Sequence, residues 1–554
     1  MRSRARIPST QVNLPGRLSA AAVLSVVLFG LALAACSAPE KKAAPYDYDA
    51  AVIGAGGGGL ACAATLAKAG LKVAIFEQHD KVGGFMTAFE REGYTFEVSL
   101  HVLAEVTEGA AFYEILKSLD VLNRVEFVRI DPLWRCVFPD DTFDVPANRQ
   151  AFRKLLADKF PAEQEGIDRF FATAEAVFDE VLDLGQLSRQ SLLARVPRYA
   201  LFPFLYPNVF RYRNATLQEM LDRHVKDPRL QGILAQLWGY LGLPPSRASG
   251  LYYALMWHGL HEKGGYYPKG SSQAISNALA GFFKEKGGQV FLNTRIDKIL
   301  LEDGRAAGVR TSEGKEYRTR FVVSNASALQ TYLKLVGEEH LPARFAKDLK
   351  KMEISCSLFI VYLGLDLDLR KTDLSGVHEV FLNSGYDFEK DYQRLQAGDF
   401  DDPHIVMGLY SNLDPSLAPG EDKSVVSLVT IAPYDYRGEW MKGDKYELYQ
   451  KAKEEIAWKL IRRAEAVLPG LSDRIEVMEV GTPRTIERYT LHDQGAVYGF
   501  ALSPEQSFNK RLKQTGPIRN LVLAGGWTFP GNGQSTAILS GYLAAQEVLK
   551  TPRP

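Results

Sequence analysis

The sequence predicts an α/β fold that begins with a strand, a glycine-rich turn, a helix and a second strand. Three observations predict it. The β-branched apolar run Tyr48–Ile53 is typical of a buried strand. The alanine- and leucine-rich run Leu60–Ala69 favours a helix that ends at Gly70. The apolar run Leu71–Glu77 has strand character, so this region forms a βαβ unit.

A glycine cluster occupies the turn between the first strand and the helix. Its spacing is Gly54-x-Gly56-x-x-Gly59, and Glu77 ends the second strand. Gly54 permits a tight turn, Gly56 lets the backbone approach a pyrophosphate, and Gly59 lets the helix pack closely on the strand. A carboxylate at the position of Glu77 can accept hydrogen bonds from ribose hydroxyls. The pattern therefore predicts a Rossmann-type dinucleotide site and argues against a flexible linker.

Composition and charge indicate a globular protein that does not bind nucleic acid. The 554 residues are 46% hydrophobic and carry 66 basic and 66 acidic side chains. This length allows two domains with their own cores, and the charge balance does not favour the concentrated basic face that nucleic acids require. The four cysteines are scattered without a Cys-x-x-Cys pair. We therefore expect no metal site and no disulfide scaffold.

The first 35 residues have the features of an export signal. Four arginines precede the uncharged apolar run Leu18–Ala35, and the sequence Leu33–Cys36 resembles a bacterial lipobox. The resemblance implies cleavage before Cys36, lipidation of its thiol, and a tether over residues 36–45. A transmembrane anchor is the alternative, because this run is just long enough to span a bilayer. We expect an exported protein, lipid-anchored on the periplasmic or extracellular face of a bacterial membrane.

A second glycine pair, Gly83-Gly84, follows Glu77. Here the chain resembles the flavoprotein family of amine oxidases, phytoene desaturases, carotenoid isomerases and retinol saturases. The resemblance implies FAD as the cofactor, with this pair beneath its pyrophosphate. Phe85 stands where many members have an arginine, which removes one phosphate-neutralising charge. The resemblance also implies that the strand around Ile296 contacts the adenine through its backbone.

The C-terminal block Asn520–Leu549 is the most diagnostic part of the resemblance. A short strand and a glycine pair lead through a loop into a long helix. Backbone N–H groups at the start of this helix can bind the pyrimidine edge of a flavin, and the helix dipole would stabilise negative charge there. The loop sequence WTFPGNG resembles the carotenoid and retinoid branch more than the amine oxidases, although Gln534-Ser535-Thr536 departs from the apolar-Pro-Gly of desaturases. The cofactor-binding residues predicted in this block are Gly525, Gly526, Trp527, Gly533, Gln534 and Ser535.

The resemblance covers nearly all of the chain after the tether and implies a discontinuous organisation. Residues 46–105, 264–335 and 476–552 would form a Rossmann-type FAD-binding domain of the GR2-like flavoprotein fold. Residues 106–263 and 336–475 would form an α+β substrate-binding domain interleaved with it.

Two aromatic segments of the substrate domain are candidates for substrate entry and binding. The segment Leu192–Arg213 interleaves arginines with aromatic residues. It is either a membrane-surface lip that admits a lipid-like substrate or a cap packed on the core. The segment Leu237–His261 resembles the tunnel-lining block of retinol saturase-like proteins, although aromatic residues at helical spacing are often plain core.

The sequence offers Glu97, His101 and Tyr267 as candidate catalytic residues. His101 could exchange a proton with a substrate carbon, or it could be a hydrogen-bonded structural histidine. We therefore predict a membrane-tethered, FAD-dependent oxidoreductase that exchanges a hydride between flavin N5 and a long hydrophobic unsaturated substrate. It would act as a desaturase, saturase or isomerase. A flavin amine oxidase and a non-catalytic lipid or pigment carrier are the alternatives. The electron partner is left open, and a membrane quinone would suit the location.

Overall fold

The computed structural model describes residues 46–551, except residues 188–195, 197, 437 and 439–445. The predicted signal peptide (1–35), the tether (36–45) and Cys36 lie outside the described residues. From residue 46 onward the chain forms one compact unit. None of the helices in the described ranges is both long enough and apolar enough to cross a bilayer.

A seven-stranded sheet carries the predicted βαβ unit. Its strands, in spatial order, are Gln289–Phe291, Val73–Phe76, Tyr48–Ile53, Glu316–Ser324, Arg305–Thr311 and Ile296–Glu302, with Leu521–Leu523 also paired to Glu316–Ser324. The pairs around Tyr48–Ile53 are parallel, and the last three strands of the order are joined antiparallel. Every side chain of Val73–Phe76 is buried, as expected for a parallel strand covered on both faces.

A second seven-stranded sheet is mostly antiparallel. Its strands, in spatial order, are Ile475–Gly481, Ser357–Leu365, Ser424–Ala432, Ile405–Gly408, Glu379–Leu382, Trp134–Phe138 and Asp141–Val145. The strand Ile475–Gly481 pairs along Ser357–Leu365 in this sheet. Residue 476, where we expect a domain boundary, therefore lies inside a strand of the second sheet.

Short strands and helices complete the architecture. A hairpin joins Ala88–Arg91 to Tyr94–Glu97, and a three-stranded sheet contains Leu103–Ala104, Gly265–Pro268 and Phe127–Ile130. A π-helix spans Gln330–Gly337. The α-helices of the described residues include Gly57–Lys68, Ala111–Ser118, Arg149–Lys159, Gln164–Leu187, Phe202–Leu205, Pro207–Tyr212, Leu217–Asp222, Pro228–Leu234, Gly250–Lys263, Ser271–Glu285, Ala343–Lys351, Phe388–Gln396, Tyr446–Ala464, Pro483–Thr490 and Gln534–Leu549.

Two glycines allow the first helix to pack without a gap. A Cβ on Gly59 would lie 2.1 Å from the carbonyl oxygen of Gly54, so the helix rests directly on the glycine-rich turn. A Cβ on Gly541 would lie 2.0 Å from the carbonyl oxygen of Gly58, so the last helix of the chain packs directly on the first. These contacts require glycine, since a side chain at either position would force the backbones apart.

Candidate functional site

One cavity of 2120 Å³ connects the glycine-rich turn with an apolar chamber, whose walls include Leu255, Met256, Ile360, Val406 and Ile431. The predicted cofactor-binding residues that line it are Gly54, Gly56, Glu77, Gly83, Gly84, Ile296, Gly525, Gly526, Trp527, Gly533, Gln534 and Ser535. Gly59 does not line the cavity, because it occupies the contact between helix and turn. Segments far apart in the chain therefore converge on one cleft, and their individual contacts with FAD stay a prediction.

The glycine-rich turn presents an anion-binding helix end to the cavity. Gly54 has a φ of +88°, which favours glycine. Gly56 caps the helix Gly57–Lys68, no side chain caps it, and its first turn has no acid. The N–H groups there are therefore free for a phosphate. The second glycine pair supports the turn, because Gly83 donates its N–H to Ala55 over 2.9 Å.

Glu77 is held in place by the backbone. One carboxylate oxygen accepts the N–H of Ala55 at 2.7 Å and the other accepts the N–H of His79 at 3.0 Å. The side chain is only 7% exposed and lines the cavity. A carboxylate has about four acceptor sites, so two such bonds leave room for ribose hydroxyls.

The start of the last helix forms the other cofactor-facing edge. Gly533 has a φ of +102° and caps the helix Gln534–Leu549, which has no side-chain cap and no acid in its first turn. The side chain of Gln534 donates to the hydroxyl of Ser99 at 3.2 Å. This end therefore also offers N–H groups and positive dipole potential to the cavity.

Three buried amide oxygens test whether the cleft fits a polar cofactor. The side-chain oxygens of Asn325, Asn532 and Gln534 have no hydrogen-bond partner within the protein, and all three residues line the cavity. Unpaired buried acceptors are costly, and a bound FAD has hydroxyl and N–H donors that can satisfy them. The residues present therefore fit FAD.

Asn325 was missed by the sequence analysis. Its side chain packs among the glycines, since a Cβ on Gly56 would lie 2.7 Å from its nitrogen. The signal that could have found it is its place directly after the strand Glu316–Ser324, since ligands bind at the carboxyl ends of parallel strands.

His101 lies on the cavity wall beside a buried carboxylate. Its Nδ1 lies 2.8 Å from Oε1 of Glu379, close enough for an ion pair although the angle is not that of a hydrogen bond. The hydroxyl of Tyr240 donates to the same oxygen at 2.6 Å. Burial, together with Glu379, raises the pKa of Tyr240 well above its usual value. Glu379 is not among the residues predicted from the sequence, although an acid at the start of the apolar run Glu379–Leu382 is a signal.

Glu97 and Tyr267 are buried outside the cavity wall, which corrects their expected catalytic role. Glu97 accepts hydrogen bonds from the N–H and the hydroxyl of Ser272, both at 2.7 Å, at the start of the helix Ser271–Glu285. The Tyr267 hydroxyl donates to it at 3.4 Å. Burial raises the pKa of Glu97, while the hydrogen bonds from Ser272 oppose the shift. Neither side chain lines the cavity, so both have structural positions.

The predicted tunnel segment divides between wall and core. Tyr240 and Tyr252 line the cavity. Trp238, Tyr253 and Trp257 are at most 1% exposed and do not line it, so they are core residues. The aromatic pattern alone could not separate the two groups, because both lie on buried faces.

The predicted lip combines exposed apolar side chains with the cavity wall. Residues 192–195 and 197 of this segment lie outside the described residues. Phe204 is 82% exposed, and Val196, Leu201, Leu205 and Phe210 are also exposed. Tyr199, Phe202, Val209 and Arg213 line the cavity. The described part of the segment therefore has both an exposed apolar surface and a share of the cavity wall, which a cap packed wholly on the core would not have.

The cleft is of the Rossmann type and opens into an apolar chamber, as expected of an enzyme that binds a dinucleotide and a hydrophobic substrate. The profile of the family described as "Flavin containing amine oxidoreductase" matches residues 58–549. The chain belongs to this family, and its cofactor is FAD. The predicted fold class, cofactor and enzyme class are thereby confirmed.

Curated relatives come from plants, animals and bacteria. Prolycopene isomerase 1 of an Oncidium hybrid cultivar is 27% identical over 91% of this chain and 84% of its own length. All-trans-retinol 13,14-reductase of Danio rerio is 27% identical over 87% of this chain and 82% of its own. A neurosporene-forming phytoene desaturase of Rhodobacter capsulatus is 28% identical over 91% of this chain and 94% of its own length.

Solved structures share the fold. An oxidoreductase from Methanosarcina mazei superposes with a TM-score of 0.59 at 18% identity and covers 91% of this chain and 100% of its own. Cyclohexylamine oxidase from Brevibacterium oxydans has a TM-score of 0.56 at 14% identity, and the match covers 92% of this chain and 100% of the oxidase. At these identities the likeness is one of fold alone.

Proposed function

We propose that this protein desaturates, saturates or isomerises a long hydrophobic unsaturated molecule of the carotenoid or retinoid class. The continuity of the 2120 Å³ cavity, from the glycine-rich cleft to walls such as Tyr240 and Tyr252, carries this proposal. An extended apolar substrate needs such walls, because its binding energy comes from buried apolar surface. The names of the curated relatives above include carotenoid and retinoid substrates, which supports the same class.

The chain holds both reactants and excludes water. The helix ends at Gly56 and Gly533 and the carboxylate of Glu77 would hold FAD. When bound, FAD supplies hydride exchange at N5, as desaturase, saturase or isomerase chemistry requires. The apolar walls align the substrate and keep water from the reacting carbons.

His101 is proposed to move the proton. With Nδ1 beside Glu379, the nitrogen left for a substrate carbon is Nε2. Saturation of a double bond needs one hydride and one proton, and His101 would donate that proton from Nε2; desaturation would return it there. Glu379, 2.8 Å from Nδ1, would fix which face of the ring is turned to the cavity.

The membrane is the proposed source of the substrate. Lipidation at Cys36 would tether the exported chain, and the exposed apolar side chains around Phe204 would touch the bilayer surface. A lipid-like substrate would then pass from the bilayer along Tyr199 and Phe202 into the cavity. The cavity-lining positions of these two residues support this route.

Anaerobic spectroscopy of the FAD-loaded protein tests the proposed function. A desaturase substrate bleaches the oxidised flavin, a saturase substrate restores the colour of dithionite-reduced flavin, and isomerisation changes polyene geometry without net redox change. Phytoene, all-trans-retinol and cis-lycopene are the probes, and putrescine and cyclohexylamine are the controls. Bleaching by the amines, followed by reoxidation of the flavin and peroxide release once O2 is admitted, would establish an amine oxidase instead. Binding of polyenes without turnover in any arm would establish a carrier.

A further inference from the structure

Arg511 is a buried cation whose hydrogen-bond partners are main-chain carbonyls. It is 2% exposed. Its guanidinium donates to Gly526 at 2.7 Å, to Phe500 at 3.2 Å, to Thr528 at 3.4 Å and to Tyr498 at 3.5 Å. These carbonyls belong to two separate segments, so the side chain clamps the loop after the glycine pair onto the segment around Phe500.

The charge of Arg511 has no acidic counterpart in the described part of the chain. No carboxylate there forms an ion pair with it, although most described arginines on the surface have one. Burial lowers the pKa of Arg511, yet a guanidinium stays protonated in proteins. An unpaired buried charge costs several kcal/mol. A buried charge without an acidic partner is therefore expected where its electric field acts on another group.

The clamp also sets the direction of a donor at the cavity. The Gly526 carbonyl faces Arg511, and in a trans peptide the N–H of the next residue, Trp527, points the opposite way. Both Gly526 and Trp527 line the cavity. Arg511 therefore lies behind the cavity wall, with one peptide group between its charge and the cofactor cleft.

We propose that Arg511 is a positioning residue for the cofactor: its buried charge favours reduced, negatively charged flavin, and its clamp aims the Trp527 N–H into the cleft. The inference rests on FAD binding and is independent of the substrate. The charge acts through a low-dielectric wall, where electrostatic effects are stronger than in water.

The flavin midpoint potential of the full FAD-loaded chain tests this proposal by dye equilibration, without any polyene. Arg511→Gln removes the charge, Arg511→Lys keeps it with a poorer clamp, and Arg247→Gln, an exposed arginine paired with Glu353, is the control. We expect Arg511→Gln to lower the ratio of reduced to oxidised flavin at fixed potential at least tenfold. For two electrons this corresponds to a fall of about 30 mV in the midpoint potential. Arg511→Lys should shift the ratio less than threefold while lowering the melting temperature of the apoprotein.

Two outcomes overturn the proposal. One is an Arg511→Gln protein that binds FAD and whose ratio of reduced to oxidised flavin is within twofold of that of the parent protein. The other is an Arg511→Lys protein whose ratio falls tenfold, since its charge is retained; this variant decides the question if the glutamine variant does not fold. Failure of every polyene to react would refute the proposed function and leave these potentials unaffected.

Discussion

Nδ1 of His101 lies 2.8 Å from Oε1 of Glu379, a carboxylate that is 1% exposed, although 278 positions separate the two residues. His101 lines the cavity and Glu379 is buried beside it, and this pair is the main candidate for proton transfer. We expect His101→Gln to lower kcat with a polyene about 100-fold, because a positioned acid–base group contributes at least that much. Glu379→Gln should lower kcat less, about tenfold, because the amide keeps the shape of the side chain beside the ring and removes only its negative charge.

Steady-state turnover and FAD titration check this prediction. FAD affinity should be unchanged in both variants, since neither side chain belongs to the predicted cofactor set. His340→Gln, a change at an exposed histidine, is the matched control. Full activity of His101→Gln would leave His101 as a structural histidine.

Glu77→Gln should weaken FAD binding at least tenfold. The substitution removes the charge that strengthens hydrogen bonds from Ala55, His79 and the ribose. Calorimetric titration of the apoprotein with FAD measures the effect, and Glu313→Gln in an exposed turn is the control. Equal affinities would show that Glu77 only braces the turn.

Gly541→Ala should lower the stability of the apoprotein by about 1–3 kcal/mol, the usual cost of overpacking. Its Cβ would meet the carbonyl oxygen of Gly58 at 2.0 Å, so two helices must separate. Gly185→Ala is the matched control, because a Cβ there meets nothing within 4 Å in the helix Gln164–Leu187. Urea unfolding should show a loss for the first variant and a small gain for the second.

Acid should destabilise the apoprotein through its buried histidines. Burial, assisted by Arg463, lowers the pKa of His404 to about 3, whereas an unfolded histidine titrates near pH 6.5. Between these values the unfolded chain binds more protons, so stability rises with pH and falls as pH decreases. His404→Asn should reduce this slope by about 1.4 kcal/mol per pH unit between pH 4 and 6.

Urea unfolding across this pH range measures the slope. The same change at exposed His340 should leave it unaltered. A parent-like slope in His404→Asn would mean that the proton uptake belongs to other groups.

Phe204→Ser should weaken binding to anionic vesicles several-fold. The side chain is 82% exposed among other apolar residues, so its loss removes apolar surface available to the bilayer. Flotation of the non-lipidated protein, residues 37–554, with phosphatidylglycerol vesicles measures this. Tyr446→Ser, at a side chain 70% exposed elsewhere in the sequence, is the control. Equal flotation of the parent and both variants would contradict the lip.

Local patterns were enough to predict the glycine-rich turn, Glu77 and the start of the last helix. The strand, the turn and the helix follow one another in the chain, so their residues have a recognisable spacing. The backbone conformation that a phosphate needs restricts the residue type at each of these positions. The strand at Tyr48–Ile53 is confirmed residue for residue, and the helix predicted at Leu60–Ala69 starts three residues earlier, at Gly57. That early start brings glycines themselves into the first turn.

The acid–base and charge arrangement could not be predicted in this way. Glu97 and His101 are close in the chain, but a strand end directs Glu97 to the start of a helix while His101 reaches the cavity. Glu379 lies 278 positions after His101, and no short-range spacing encodes that approach. The partners of Arg511 are only 11 to 17 positions away, but they are main-chain carbonyls, which every residue type supplies. Sequence therefore specifies the cofactor turn through local backbone geometry, whereas tertiary packing determines which buried charges lie next to the cavity wall.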